Sequence, residues 1–207
     1  MKHIVLGRRP VWLRSILILF LLSGVILSTN AQDPHLSIDL NKVTIKQFFE
    51  IVGTYTNADD IVSATGMTNE AAARFVDEKR YESIDTKQDF TFETVLSSNY
   101  KLDILVKAKQ EGYFIKCIFV TTADPQINIA RVAARVAAGG HDVDKDKITK
   151  RYYKSLSNIS VLIDICDILH VYDNTIEPVR IIRKHKDDIS VFPNEFWSAD
   201  ELLELIS

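Results

Sequence analysis

From residue 53 to the C-terminus, strand-like and helix-like segments take turns, and that alternation constrains the fold more than any other feature of the chain. Gly53 to Ile61 reads as a short strand with a polar C-terminal end. Asn69 is placed to cap a helix reaching about Ile84, with Ala72, Phe75, Val76 and Tyr81 turned inward. Phe90 to Thr94 is a strand, Val95 to Ser98 a turn, and a helix follows to Glu111 and stops at Gly112. Tyr113 to Val120 has the apolar content of a buried strand. Asp124-Pro125 opens a helix carrying Ile127, Ala130, Val132 and Val136, which ends at Gly139-Gly140. One helix or a helix pair spans Lys145 to Asp167, and Ile168–Tyr172 and Val179–Arg183 are strands. Phe192-Pro193 leads into a terminal helix, Ala199 to Ile206. Strands joined through helices pair in parallel, because the crossover returns the chain to the same end of the sheet. The expected class is α/β, a three-layer α/β/α body around a mostly parallel sheet.

The N-terminus reads differently. Residues 1–31 contain Lys2, Arg8, Arg9 and Arg14 and no acid, whereas the whole chain has a formal net charge of -3. Ile16-Leu-Ile-Leu-Phe-Leu-Leu-Ser-Gly-Val-Ile-Leu27 is a 12-residue apolar run, followed by small and polar residues to Ala31. A basic start, a short apolar segment and small residues at a cut site describe a secretory leader. As a helix the run reaches only about 18 Å, against about 30 Å of bilayer hydrocarbon, so it is read as a leader and not as a mature membrane span. Residues 1–31 are therefore expected to stand outside the folded body. The chain is exported if the leader is used, and cytoplasmic if the leader is a product of gene fusion or of a displaced start. Leu36–Leu40 alternates like a strand, and Thr44 with Gln47 has capping-box spacing ahead of Ile45, Phe48, Phe49 and Val52. Residues 11–52 resemble the N-termini of TonB-dependent outer-membrane receptors of the glycan-uptake type. On that resemblance, residues 32–52 are a partial strand–helix segment of a receptor signalling domain.

The near balance of 25 basic and 28 acidic residues argues against blanket phosphate neutralisation, and so against nucleic acid as a partner. Cys117 and Cys166 lie in apolar runs without a C-x-x-C pattern, and read as two small buried thiols.

Ligands of open α/β sheets bind at the carboxyl ends of strands. Three such ends are polar here: Asn57-Ala-Asp59-Asp60, Glu93 to Ser98, and Thr121 to Asp124. Each alone also suits a solvated loop. Asp59 and Glu93 on neighbouring strand ends would form a convergent carboxylate pair, able to orient a hydroxyl, accept its proton or hold magnesium-bound water. Arg131 and Arg135, four apart, share a helix face. Beyond the Gly139-Gly140 joint, Lys147, Lys150, Arg151 and Lys154 present further cations. Arginines flanking a glycine joint suit a lid closing over phosphates; a solvated basic face is the other reading.

These pieces, in this order, resemble zeta-toxin-type P-loop kinases over residues 53–174. Asn57-Ala-Asp-Asp-Ile61 resembles the family's acceptor-side aspartate motif, and Asp89-Phe-Thr-Phe-Glu-Thr-Val-Leu-Ser97 its strand-end Glu-Thr motif. Lys109-Gln-Glu-Gly-Tyr113 leads into a core strand as there. Arg131-Val-x-x-Arg135-Val-x-x-Gly-Gly-His141, with Arg151-Tyr-Tyr-Lys-Ser-Leu156, resembles the lid, and Tyr172-Asp-Asn174 closes the region. The resemblance implies phosphate transfer from ATP or GTP with magnesium to a hydroxyl, of a UDP-linked amino sugar in the toxin branch, and an antitoxin partner. It gives Asp59 and Glu93 catalytic positions, and Arg131, Arg135, His141 and Arg151 phosphate-binding ones. Where toxin members have an arginine after the glutamate motif, this chain has Ser97.

One element of the pattern is missing. A phosphate cradle needs Gly-x-x-x-x-Gly-Lys-Ser/Thr, because bare backbone NH groups wrap the phosphates and the lysine spans them. The seven glycines precede Arg8, Val25, Thr54, Met67, Tyr113, Gly140 and His141, so no Gly-Lys exists in the chain. The expectation is a kinase body over residues 53–207 without its Walker A loop. That makes it a degenerate kinase, inactive as written, with an exported binding protein on the same fold, or a non-functional fusion product, as the alternatives.

Overall fold

The computed structural model describes residues 15–20, 54–140 and 142–207. The described strands form one seven-stranded sheet in the order β2-β3-β1-β4-β5-β6-β7. They are β1 (Ser15–Phe20), β2 (Thr54–Thr56), β3 (Phe90–Glu93), β4 (Phe114–Thr121), β5 (Ile168–Asp173), β6 (Val179–His185) and β7 (Asp188–Val191). The pairings of β2 through β5 and β1 are all parallel, and β6 and β7 add antiparallel strands at one edge. The described helices are α1 (Ala58–Thr65), α2 (Asn69–Asp85), α3 (Asn99–Gln110), α4 (Pro125–Ala137), α5 (Lys145–Ser157), α6 (Ile159–Ile165) and α7 (Ala199–Leu205). The mixed α/β class and the mostly parallel sheet are as the alternation predicts.

Local chemistry sets the boundaries. Thr68, not Asn69, caps α2, its hydroxyl accepting from Ala71 N at 3.2 Å. Asp124 caps α4 through Gln126 N at 2.7 Å, with Pro125 at the first helical position as expected. The stretch Lys145–Asp167 is a helix pair, broken at Asn158, which is the C-cap of α5 and the N-cap of α6. Phe75, expected inward, is 37% exposed. β7 is absent from the sequence reading: Asp188-Ile-Ser-Val191 alternates polar and apolar, but over only four residues, none of them buried.

The apolar core is built on Phe90, Phe92, Ile115, Cys117, Phe119, Leu169 and Val171 from the sheet, with Ile104, Leu105, Ile159 and Leu162 from the helices. Cys117 and Cys166 are buried free thiols, as read from the sequence.

The N-terminal expectation needs correction. Ser15–Phe20, inside the segment read as a leader standing apart, is an interior strand of the sheet. Ile16 to Leu19 pair with Phe90 to Glu93 on one side, and Ser15 to Phe20 with Phe114 to Phe119 on the other. The physical reason is shared composition: a parallel strand covered on both faces is apolar at every position, and so is the core of a leader. The strand and helix expected over 36–52, and with them the receptor resemblance, lie outside the described residues. No helix among the described residues is long and apolar enough to cross a membrane.

Candidate functional site

β2 and β3 run side by side with Thr56 opposite Phe92, so Asn57 and Glu93 leave the sheet together. Tyr55 Oη donates to Glu93 Oε2 at 3.1 Å, and Asn57 Nδ2 donates to Tyr55 Oη at 3.0 Å and to the same Glu93 oxygen at 3.4 Å. Asn57 also caps α1, its Oδ1 accepting from Asp59 N at 2.9 Å, which places Asp59 and Asp60 in the first turn. Burial pushes the Glu93 carboxyl above its ordinary range; the negative charges of Asp60 and Asp59 add to this, and the Tyr55 hydrogen bond opposes it. The Tyr55 phenol is pushed up mainly by its own burial, with Glu93 contributing. Beside these groups lies a pocket of about 210 Å³ bordered by Tyr55, Asn57, Asp60, Ile61, Phe75 and Lys79. Asp59 thus sits in the first turn of a helix and not on the strand end expected from the sequence, and its charge is the smallest of these influences on Glu93.

Behind Glu93 the chain is held in an unusual conformation. Leu96, fully buried, has φ 49, and its N–H is taken by Thr94 Oγ1 at 3.1 Å. Asn158, at the α5–α6 break, donates to Leu96 O at 2.7 Å. The loop carrying Ser97 is therefore pinned to the helix pair.

The basic residues divide. Arg131 donates through Nη2 to Asn174 O at 2.7 Å and Thr175 O at 3.2 Å, and so ties α4 to the loop after β5. Arg135 is exposed in the last turn of α4. Gly140 folds back on it: a Cβ there would stand 2.8 Å from Arg135 Cγ and 3.0 Å from Arg135 O, so a larger residue would force Arg135 to shift. Arg151 is half-buried on α5. Among the described residues neither Arg135 nor Arg151 forms an ion pair; Asp144 instead caps α5 through Lys147 N at 3.0 Å. No arginine is among the groups acting on Glu93. His141 lies outside the described residues.

A second polar centre occupies the ends of β4 and β5. Buried Asp173 accepts from Thr175 Oγ1 at 2.6 Å, Thr175 N at 3.0 Å and Asn194 Nδ2 at 3.0 Å. Thr175 Oγ1 accepts from Ala123 N at 2.8 Å, and Tyr152 Oη donates to Thr122 O at 2.7 Å. Tyr55, Asp173 and Tyr152 were not singled out from the sequence, and Asn57 only as the start of a polar strand end. For Asn57 a signal existed, since an asparagine just ahead of a helix is a preferred N-cap.

Strand order reverses at β1, and the crevice beyond its end is where this kind of sheet takes ligands. The chain following Phe20 has Gly24 as its one glycine before Gly53, and Lys42 is its first lysine. Those residues do not fit a nucleotide's phosphates. Among the described residues no three His, Cys, Asp or Glu side chains gather as a metal-ligand set.

Comparison with known proteins agrees with this architecture. A chain of the solved PezAT chromosomal toxin–antitoxin system of Streptococcus pneumoniae superposes with a TM-score of 0.53 at 15% identity, covering 96% of this chain and 80% of that one. That likeness is one of fold. An uncharacterized protein of Haemophilus influenzae is 33% identical over 63 residues, 30% of this chain. The match covers 45% of that relative's length, so this chain spans less than half of it. The family model described as Zeta toxin matches residues 30–195, well over half of the sequence, and the chain belongs to the zeta toxin family.

Proposed function

We propose that this protein is a zeta-toxin-type kinase body that keeps the acceptor side of the reaction and lacks the phosphate-donor side. The observation carrying the reading is the hydrogen bonding of Glu93. Both donors, Tyr55 and Asn57, fall on Oε2, so among the described residues Oε1 is left to accept from a ligand hydroxyl. Asp59, exposed in the first turn of α1, is the second acceptor on this reading, supported by its charge acting on Glu93. A hydroxyl held between two carboxylates is oriented and made more nucleophilic. The acceptor proposed is a sugar nucleotide of the UDP-linked amino sugar type, and an antitoxin is the proposed protein partner.

The family generally uses ATP or GTP with magnesium. Phosphoryl transfer depends almost wholly on positioning and charge stabilisation of the phosphates. With no Gly-Lys in the chain, no transfer step is derived, and the reading is of a binding-competent, catalytically degenerate member. The other reading, an exported binding protein on this fold, requires residues 1–31 to be dispensable. The pairing of Ser15–Phe20 between β3 and β4 favours their retention.

Titration calorimetry with a UDP-linked amino sugar tests the acceptor reading. Saturable binding is expected, weakened about tenfold in Asp59→Asn and Glu93→Gln, the loss of about one charge-assisted hydrogen bond. Equal affinity in all three proteins would refute the acceptor site.

A further inference from the structure

The ends of β2 and β3 meet over a single buried cation. Arg80, on α2, is 2% exposed. Its Nε donates to Thr56 Oγ1 at 2.9 Å and its Nη2 to Thr56 O at 3.0 Å. Its Nη1 donates to buried Asp77 at 2.7 Å, and its guanidinium carbon lies 4.3 Å from the centre of the Phe92 ring. Asp77 also accepts from Lys101 Nζ of α3 at 2.5 Å. Thr56 immediately precedes Asn57, and Phe92 immediately precedes Glu93. One planar group thus grips the last residue of each strand before its functional side chain.

We propose that Arg80 is a positioning residue of the acceptor site, holding the two strand ends together so that Tyr55 and Asn57 reach Glu93. The inference rests on the reading of Glu93 as part of that site, though its test needs no ligand. The guanidinium suits the task for three reasons. Its fork serves a carbonyl, a hydroxyl and a carboxylate at once. Its flat face stacks on an aromatic ring while its edge makes those bonds. Its charge persists across the working pH range, with Asp77 offsetting the cost of burial. A lysine has one nitrogen and no plane, so it cannot span Thr56 and Asp77 over Phe92. The ion pair with Asp77 is internal to the helix, three residues apart, and alone would tie α2 to nothing. The bonds to Thr56 and the contact with Phe92 connect it to the site.

The readout is the Glu93 carboxyl titration, followed by carbon-13 NMR in the full chain and assigned through Glu93→Gln. The groups facing Glu93 are Tyr55, Asn57, Asp59 and Asp60. In Arg80→Lys and Arg80→Met the strand ends separate, water reaches the carboxyl and its midpoint falls by about half a pH unit or more. Thr56→Val, which removes only the hydroxyl acceptor, shifts it the same way by less. That variant decides the question if the Arg80 replacements do not fold. A Glu93 midpoint within about 0.2 pH units of the parent in folded Arg80→Lys, or in Thr56→Val where Arg80→Lys does not fold, overturns the proposal. If the parent binds no sugar nucleotide, the acceptor reading falls while this titration still reports on Arg80.

Discussion

Glu93 is a carboxyl kept partly from water beside two aspartates, and its raised pKa has a consequence for stability. A group whose pKa is raised by folding favours the folded state while it is protonated. That contribution is complete below the ordinary carboxyl range and is lost as pH rises through the folded-state value. At neutral pH the charged group is therefore a cost. Glu93→Gln keeps an acceptor for Tyr55 and removes the charge. The expected result is a melting temperature a few degrees higher at pH 7 and unchanged at pH 4, measured by thermal denaturation at both. A lower melting temperature at pH 7 would show that the carboxylate is stabilised there and not strained. At this scale Glu93 stood out as a polar residue closing an apolar strand, whereas Asp59, read as part of a strand end, falls in the first turn of α1. Arg80 did not stand out: it lies within a charged helical stretch, Asp77-Glu-Lys-Arg80, whose residues are indistinguishable before the fold buries two of them.

Elements were legible where local chemistry announces their ends. Asp124-Pro125 and Gly112 mark the boundaries they were expected to mark. The turn into β7 gives no such signal, since it relies on Lys186 at φ 56 and not on a glycine. β1 was misread for the opposite reason: its signal was strong and fitted two structures equally. Retention of β1 can be tested directly. A chain beginning at residue 32 lacks the strand between β3 and β4, which leaves two parallel strands without the partner that closes their hydrogen bonds. It is expected to lose cooperative melting in circular dichroism, whereas a chain beginning at residue 11 keeps it. Equal melting of the two shortened chains would mean that residues 11–31 are dispensable to the body.

For the whole molecule, the sheet order β2-β3-β1-β4-β5 brings two polar centres to one edge. One is the carboxylate group on β2 and β3, the other the Asp173 network on β4 and β5, and β1 ends between them. The family match over residues 30–195 makes this the arrangement of a zeta toxin fold, with both polar centres on one edge of the sheet. The parallel sheet was legible from alternation alone. Strand order was not, since periodicity says which segments are strands and not which become neighbours. On the proposed reading the acceptor side persists without a donor side. Titration of the full chain with magnesium-ATP, alone and with a UDP-linked amino sugar present, tests it most directly. The expected result is ATP binding weaker than about 1 mM, about -4 kcal/mol, and no phosphorylated sugar by mass spectrometry. Micromolar ATP binding or a phosphorylated product would contradict it.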